Sequence, residues 1–389
     1  MPVAINMLRI LNFIGTRPEV IKMGPVIAEQ KKQKDKIESL VCATAQHREL
    51  LDQALDIFSV IPNYDLDLMQ KNQKLPMFVG QALESITKVL QQVKPDVVLV
   101  QGDTSTAFIA SLASYYEKIP IGHVEAGLRT FDIYNPFPEE VNRRLIGTIA
   151  SIHFAPTLKA RENLLKEGVD PHKIFLIGNT IVDALMSITS KFVAEKEERN
   201  NNKTILVTAH RRENFGKPLE NICQALKELV LRNKDIEIIY PVHPNPRVKE
   251  TISIYLKNTR RIELIEPVDY LNFVKLMYKS YLILTDSGGI QEEAPILGKP
   301  VLILRKVTER PEAVEGGSAL LVGTEKDKIV FWTEKLLRDE ALYKSMSQSR
   351  YIFGDGKAAE RMVGILLNHF ENKKPPFIFK EANKILLNQ

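Results

Sequence analysis

Five segments of this 389-residue chain combine ionisable side chains with glycine and small polar residues at spacings that could do chemistry. The first is Gly15-Thr16-Arg17-Pro18-Glu19, directly behind the apolar run Leu8 to Ile14. Thr16 and Glu19 have capping-box spacing and Pro18 suits a first helical turn, so a helix is predicted to start here. A helix start offers N–H groups and a positive dipole end to an anion, and Arg17 and Lys22 add cations beside it. The same residues also read as a well-capped helix with a surface arginine. The second segment, Gln101 to Thr106, again follows an apolar run. Its Asp103 is expected where open α/β sheets bind ligands, although an Asp there also serves as a helix N-cap.

The third segment is His123 to Thr130, followed by Pro136-Phe137-Pro138-Glu139-Glu140. Glu125 is predicted to end a strand. Glu139 and Glu140 are predicted to open a helix, where negative charge is favoured for structural reasons alone, so one of that pair is expected to be only a helix-start residue. Asp103, Glu125 and Glu139 together exceed what capping requires and offer general acids and bases on several sides of a substrate. In the fourth segment His210 heads a loop with Arg211 and Arg212, a combination suited to a diphosphate leaving group. There is no H-E-x-x-H, and His243 lies in a separate His-Pro-Asn-Pro turn, so no metal site is predicted. The fifth runs from Thr285 to Ala294. Ser287, Gly288 and Gly289 would let the backbone approach a phosphate at a helix N-terminus, and Glu293 could accept a ribose diol. No G-x-G-x-x-G follows any strand, so no dinucleotide site and no cofactor are expected.

The elements that must hold these segments are legible as short apolar runs between helical patterns. Leu8 to Ile14, Val97 to Val100, Ile121 to Val124 and Phe175 to Ile177 read as buried parallel strands of a first half. Ile205 to Thr208, Ile236 to Tyr240, Ile262 to Ile265, Leu282 to Thr285 and Val301 to Leu304 read likewise in a second. The fold class is therefore α/β, with two Rossmann-like domains facing a central cleft. The boundary is expected between Gly178 and Asp183, dividing residues 1–180 from 181–355. The polar stretch Lys191 to Lys203 is expected to end a helix and lead into the second domain, and a C-terminal helix at about 356–389 to pack back on the first.

Bulk properties exclude several classes. A net charge of +5, from 53 basic and 48 acidic residues, does not argue for nucleic acid. The two cysteines, Cys42 and Cys223, form no disulfide framework and fit a reducing, cytoplasmic compartment. The apolar start is interrupted by Arg9 and reads as a buried strand, not a signal peptide, and no stretch is long enough for a membrane span.

Taken together, GTRPE-x-x-K, QGDTSTAF, HVEAGLRT, PFPEE-x-NR, HRREN, TDSGGIQEEAP-x-LGKP and TERPEA resemble the non-hydrolysing UDP-N-acetylglucosamine 2-epimerases, from Gly15 to about Glu315. The resemblance implies the GT-B-like fold of many glycosyltransferases, a homodimer, and conversion of UDP-N-acetylglucosamine to UDP-N-acetylmannosamine for surface polysaccharides, with UDP as the released group. It implies that Asp103, Glu125, Glu139 and His210 are catalytic. Arg17 and Lys22 match its phosphate-side residues and Phe273 the aromatic beside uracil. Ser287, Gly288 and Gly289 match the diphosphate loop, Glu293 the ribose contact and Arg310 a further anion contact. Val268 stands where some members carry glutamine, so a contact there must come from the backbone. Gln46, His47 and Gln73 match an allosteric subsite, but Asn72 replaces its arginine, so weak or absent activation by substrate is expected.

The chemistry asks for several carboxylates independently of the resemblance. The C2 proton of this sugar has no adjacent carbonyl. Expelling UDP from C1 while a base takes that proton gives a 2-acetamidoglucal, and re-protonation from the other face completes inversion. Rival readings are a glycosyltransferase of the same fold, a 2-epimerase of a modified UDP-sugar, a hydrolysing 2-epimerase and a non-catalytic sensor. A transferase needs one acceptor base, whereas this chain groups three acidic residues.

Overall fold

A computed structural model describes residues 7–44, 48–69, 73–190, 192, 202–308, 310–348 and 352–370. They divide into two compact units, one drawn from Met1–Ala184 with Gly354–Gln389, the other from Leu185–Phe353.

The first unit is built on seven parallel strands: β1 (Leu8–Ile14), β2 (Ile37–Ala43), β3 (Tyr64–Asp65), β4 (Val97–Gln101), β5 (Ile121–Val124), β6 (Ile152–Ala155) and β7 (Ile174–Leu176). Between them run α1 (Arg17–Lys32), α2 (Arg48–Ile57), α3 (Leu75–Val93), α4 (Ser105–Tyr116), α5 (Glu139–Ile149) and α6 (Leu158–Lys166). The strand order β3-β2-β1-β4-β5-β6-β7 reverses direction between β1 and β4. Every residue of β4 and β5 is buried, because helices cover both faces, and this is why Val97 to Val100 of β4 read as an unbroken apolar run. Leu11, Phe13, Val98, Val100, Ile86 and Leu90 belong to one buried cluster.

Helix α7 (Thr180–Thr189) follows, and the division between the units falls inside it. Residues 178–183, where the boundary is expected, lead into this helix, with Asn179 Oδ1 accepting the Ile181 N–H at 3.1 Å. The second unit holds β8 (Lys203–Thr208), α8 (Lys217–Arg232), β9 (Ile236–Pro241), α9 (Pro246–Leu256), β10 (Ile262–Ile265), α10 (Tyr270–Lys279) and β11 (Leu282–Thr285). It continues through α11 (Gly288–Ile296), β12 (Val301–Ile303), α12 (Pro311–Glu315), β13 (Ala319–Leu321), α13 (Lys326–Arg338) and α14 (Glu340–Gln348). Its parallel sheet has the order β10-β9-β8-β11-β12-β13, reversing between β8 and β11. The last helix, α15 (Ala358–Phe370), belongs to the first unit and packs on α1. Residues 193–201 and 371–389, parts of the two polar and C-terminal segments read from sequence, lie outside the described residues.

Four strands escape a reading of apolar runs. β2 carries half-buried Glu38 and Ser39, β6 carries His153, and β3 and β13 have two and three residues. No described helix is long and apolar enough to cross a membrane.

Candidate active site

In open α/β sheets the carboxyl ends of the two strands flanking the reversal form a crevice that secondary structure leaves open. In the first unit those strands are β1 and β4. The turn after β1 leads into α1 with Thr16 as N-cap. Glu19 reaches back, and its Oε2 accepts the Gly15 and Thr16 N–H groups at 2.9 and 2.7 Å. Its Oε1 accepts the Thr104 hydroxyl at 2.6 Å. Burial pushes the Glu19 carboxyl up to about 7, against the lowering effect of these donors. Part of the N–H array read from sequence as an anion site is therefore occupied by the protein's own carboxylate. Arg17, half-buried, has no ion pair among the described residues.

The turn after β4 contains Gly102, Asp103 and Thr104. The N-cap of α4 is Thr104, whose hydroxyl accepts the Ala107 N–H, so Asp103 is not the capping residue. Asp103 instead ion-pairs with Arg143 of α5, and its backbone carbonyl accepts the Asn142 side-chain amide at 2.9 Å. His123, fully buried on β5, holds the same turn through a 2.7 Å hydrogen bond between Nε2 and the Gly102 carbonyl. Burial pulls the His123 imidazole down to about 3, so it stays neutral.

Glu125 follows β5 with φ at +63°, a left-handed conformation uncommon for a non-glycine residue and found where surrounding structure enforces it. The enforcing contacts are visible. Gly127 has φ at +91°, and a Cβ there would lie 2.1 Å from the Ala160 carbonyl oxygen of α6. Asn163 donates to the Gly127 carbonyl at 3.0 Å, and Arg129 forms a bidentate pair with Glu167 at 2.8 and 2.7 Å. The Glu125 Oε2 accepts the Lys22 ammonium and, at 2.6 Å, the Gln101 amide. Lys22, read from sequence as a phosphate-side cation, is thus paired with a carboxylate.

Glu139 and Glu140 are sorted by their partners. Glu140 is fully buried and accepts the Thr130 and Phe131 N–H groups at 3.0 and 3.1 Å, which makes it a clamp on the preceding loop. Glu139 opens α5, and its buried Oε2 has no hydrogen-bond partner. It lies four residues before Arg143, the partner of Asp103, on the same helix face.

In the second unit the strands at the reversal are β8 and β11. Asp286, fully buried at the end of β11, accepts the backbone N–H groups of His210 and Arg211 at 2.8 Å each, and the Asn214 amide at 2.9 Å. The His210 ring stacks on His243, with centroids 5.0 Å apart and planes at 15°. Ser287 is the N-cap of α11, and its side chain makes no capping bond. A Cβ on Gly288 would stand 3.5 Å from the Arg211 guanidinium and 3.7 Å from that of Arg310, so both cations gather at this helix start. Gly288 and Gly289 keep ordinary helical φ, and a Cβ at either would make only van der Waals contact. Their value is space, not backbone freedom. Arg310 also pairs with Glu292 at 2.7 Å. Glu293 is half-buried one turn in, Phe273 is half-buried on α10, and Val268 sits in the loop before that helix.

Gln73 donates to Gln81 at 2.6 Å. Gln46, His47 and Asn72 lie outside the described residues, as does Glu309 of the TERPEA motif. Sequence reasoning missed His123, Asp286, Arg143, Gln101 and His243 as members of these clusters. All but His243 stand inside or beside the segments it singled out, but their roles are set by partners distant in sequence. Among the described residues no group of three or more His, Cys, Asp or Glu could hold a metal ion.

Two doubly wound parallel sheets, each with polar turns at its reversal point, define an α/β enzyme of the GT-B-like class. The family model for UDP-N-acetylglucosamine 2-epimerase matches residues 29–367. A UDP-N-acetylglucosamine 2-epimerase of Yersinia pestis is 50% identical over 373 residues, 93% of this chain and 99% of its own. The UDP-GlcNAc 2-epimerase of Neisseria meningitidis, solved bound to UDP-GlcNAc, has a TM-score of 0.86 at 46% identity, covering 92% of this chain and 100% of that one. The S. aureus MnaA–UDP co-structure has a TM-score of 0.84 at 45% identity, covering 95% and 100%. The chain belongs to the UDP-N-acetylglucosamine 2-epimerase family, a family of isomerases.

Proposed function

We propose that the protein interconverts UDP-N-acetylglucosamine and UDP-N-acetylmannosamine by eliminating UDP to a 2-acetamidoglucal and adding it back. The observation that carries this reading is the sorting of three carboxylates on the turns of one sheet. Glu125 receives an ammonium and an amide, which suits a proton acceptor at C2. Asp103 is paired with a guanidinium, and Glu139 keeps a buried oxygen with no partner. Proton transfer on two faces of a sugar needs carboxyl groups in such unlike surroundings. Breaking the C1–O bond leaves negative charge on the diphosphate. His210, Arg211, Arg310 and the start of α11, with Ser287, Gly288 and Gly289, are the groups suited to receive it. Phe273 and the backbone at Val268 would face the uracil, Glu293 the ribose, and Arg17 the phosphate side.

On this reading residues 1–180, with the helix near the C-terminus, carry the proton-transfer groups, and 181–355 hold the nucleotide. The structures solved with UDP-GlcNAc and UDP in relatives support that substrate and leaving group. The family resemblance implies a homodimer, which light scattering would detect. The two buried, unpaired cysteines support a reducing cytoplasmic setting, and the product suits surface polysaccharide synthesis. No nicotinamide or metal is required.

The test is turnover in deuterium oxide followed by proton NMR. Elimination and re-addition place solvent deuterium at C2 of the product. Product that retains the original C2 hydrogen throughout turnover would exclude the scheme.

A further inference from the structure

Beyond the groups assigned to the reaction stands one buried carboxylate with half of its capacity unused. Asp286 Oδ2 accepts three hydrogen bonds, from the His210 and Arg211 N–H groups and the Asn214 amide. These fix the loop that carries His210. Asp286 Oδ1 is buried and accepts none. It lies 3.8 Å from Nδ1 of His210, within a small ring rotation of a hydrogen bond. A fully buried carboxylate oxygen left without a donor is costly unless another state of the site uses it.

We propose that Asp286 is a positioning residue for the epimerase reaction, its Oδ1 taking the Nδ1–H of His210 so that Nε2 is the nitrogen presented to the diphosphate. This rests on the reading of His210 as a diphosphate-side group and deepens it. The tautomer of an imidazole is set by the hydrogen bond that its other nitrogen makes. With Nδ1–H directed at Asp286, Nε2 is left for the substrate. When the diphosphate anion binds, Nε2 takes up a proton from solvent, and the imidazolium so formed donates to the departing diphosphate while the adjacent carboxylate stabilises it, the arrangement general to histidines backed by a carboxylate. The groups facing His210 fit such a balance. Burial pulls its imidazole below the ordinary value, Asp286 raises it, and His243 and Arg211 lower it further. The stacked His243 ring limits the rotation open to His210 and so keeps Nδ1 on the Asp286 side.

The test is a double-mutant cycle on the full chain, read by kcat and KM for UDP-N-acetylglucosamine, together with nitrogen-15 NMR of the imidazoles. In the wild-type protein the neutral His210 ring carries its proton on Nδ1. A proton on Nε2 overturns the proposal, and this measurement needs no variant to fold. Asp286→Asn keeps an oxygen for the three N–H donors but turns an NH2 toward Nδ1. It is expected to lower kcat roughly thirtyfold or more while KM changes less than about threefold. In a His210→Gln background the same change is expected to cost less than about threefold, because its effect runs through the lost imidazole. A folded Asp286→Asn protein with wild-type kcat, or losses that multiply in the double variant, would overturn the proposal alone. A His210→Gln protein with wild-type kcat overturns the reading of His210, and the proposal with it.

Discussion

The Thr104 hydroxyl donates to the Glu19 carboxylate at 2.6 Å, which joins the turn after β1 to the turn after β4 where the strand order of the first unit reverses. The same hydroxyl caps α4, and the same carboxylate holds the Gly15 and Thr16 N–H groups at the start of α1. Asp103 is the residue next to Thr104, so its placement depends on this network as well as on its ion pair with Arg143.

That network predicts a pH signature. Burial raises Glu19 from 4.5 to about 7, so the carboxyl group contributes stability below 4.5 that is lost as pH rises through 7. Glu19→Gln removes the titration while keeping an oxygen for the N–H donors. The variant should match wild type in chemical denaturation near pH 5 and exceed it by on the order of 3 kcal/mol at pH 8.5. A stability difference that does not move with pH would show that Glu19 titrates normally.

A second prediction concerns how Glu125 is held. At Gly127 any side chain meets both a positive φ and the Ala160 carbonyl. Gly127→Ala should therefore cost about 3 kcal/mol or more in urea denaturation. Asn163→Ala leaves the Gly127 carbonyl without its donor but opens no clash, and should cost about 1–3 kcal/mol. Equal, small losses in both would mean that the loop shifts freely and that α6 does not enforce the Glu125 conformation.

A third prediction follows from two histidines paired across β5 and β6, His123 and His153. Burial lowers them to about 3 and about 4 respectively, with His153 adding to the shift of His123 and with Lys173 and Arg129 assisting for His153. Both are neutral in the fold and take up protons on unfolding. Their contribution is complete above the unfolded value of 6.5 and is lost as pH falls from there toward 4. Each should cost about 2 kcal/mol at pH 5 relative to pH 7. Glu19 and Asp183, both raised by burial, pull in the opposite direction over part of this range. The clean readout is therefore a comparison. His153→Gln should lose less stability between pH 7 and 5 than wild type does, and an equal loss would refute the assignment.

How far the sequence anticipates this molecule depends on whether a residue's role is local. The strands β4, β11 and β12 announce themselves because burial on both faces demands apolar runs. The acidic turns announce themselves because capping alone does not need so many carboxylates. β6 does not, since His153 breaks its run for a reason visible only when His123 lies beside it. Asp286 stands in the midst of a segment singled out for chemistry, yet it reads as part of a phosphate loop. Its work lies with His210, Arg211 and Asn214, more than seventy residues earlier. Lys22 likewise reads as a free cation until Glu125, 103 residues away, is seen to accept from it.

Adjacent Glu139 and Glu140 are the sharpest such case and supply the last prediction. From sequence they are equivalent, since both open α5 and either could be a simple helix-start charge. The structure gives Glu140 the Thr130 and Phe131 N–H groups and leaves a buried oxygen of Glu139 unpartnered. Glutamine at 140 must turn an NH2 toward one of those two donors, so Glu140→Gln should cost about 1–3 kcal/mol of stability. Glutamine at 139 breaks no bond and should leave stability unchanged or slightly raised, while turnover falls roughly a hundredfold to ten-thousandfold, as for a true acid or base. Thermal melts and initial rates on the two variants decide it. Residual activity adds a further check: Glu139→Gln should still bind UDP, measured by calorimetry, with affinity close to wild type. If Glu139→Gln loses stability and keeps its rate while Glu140→Gln does the reverse, the two roles are exchanged and the unpartnered oxygen has no part in proton transfer.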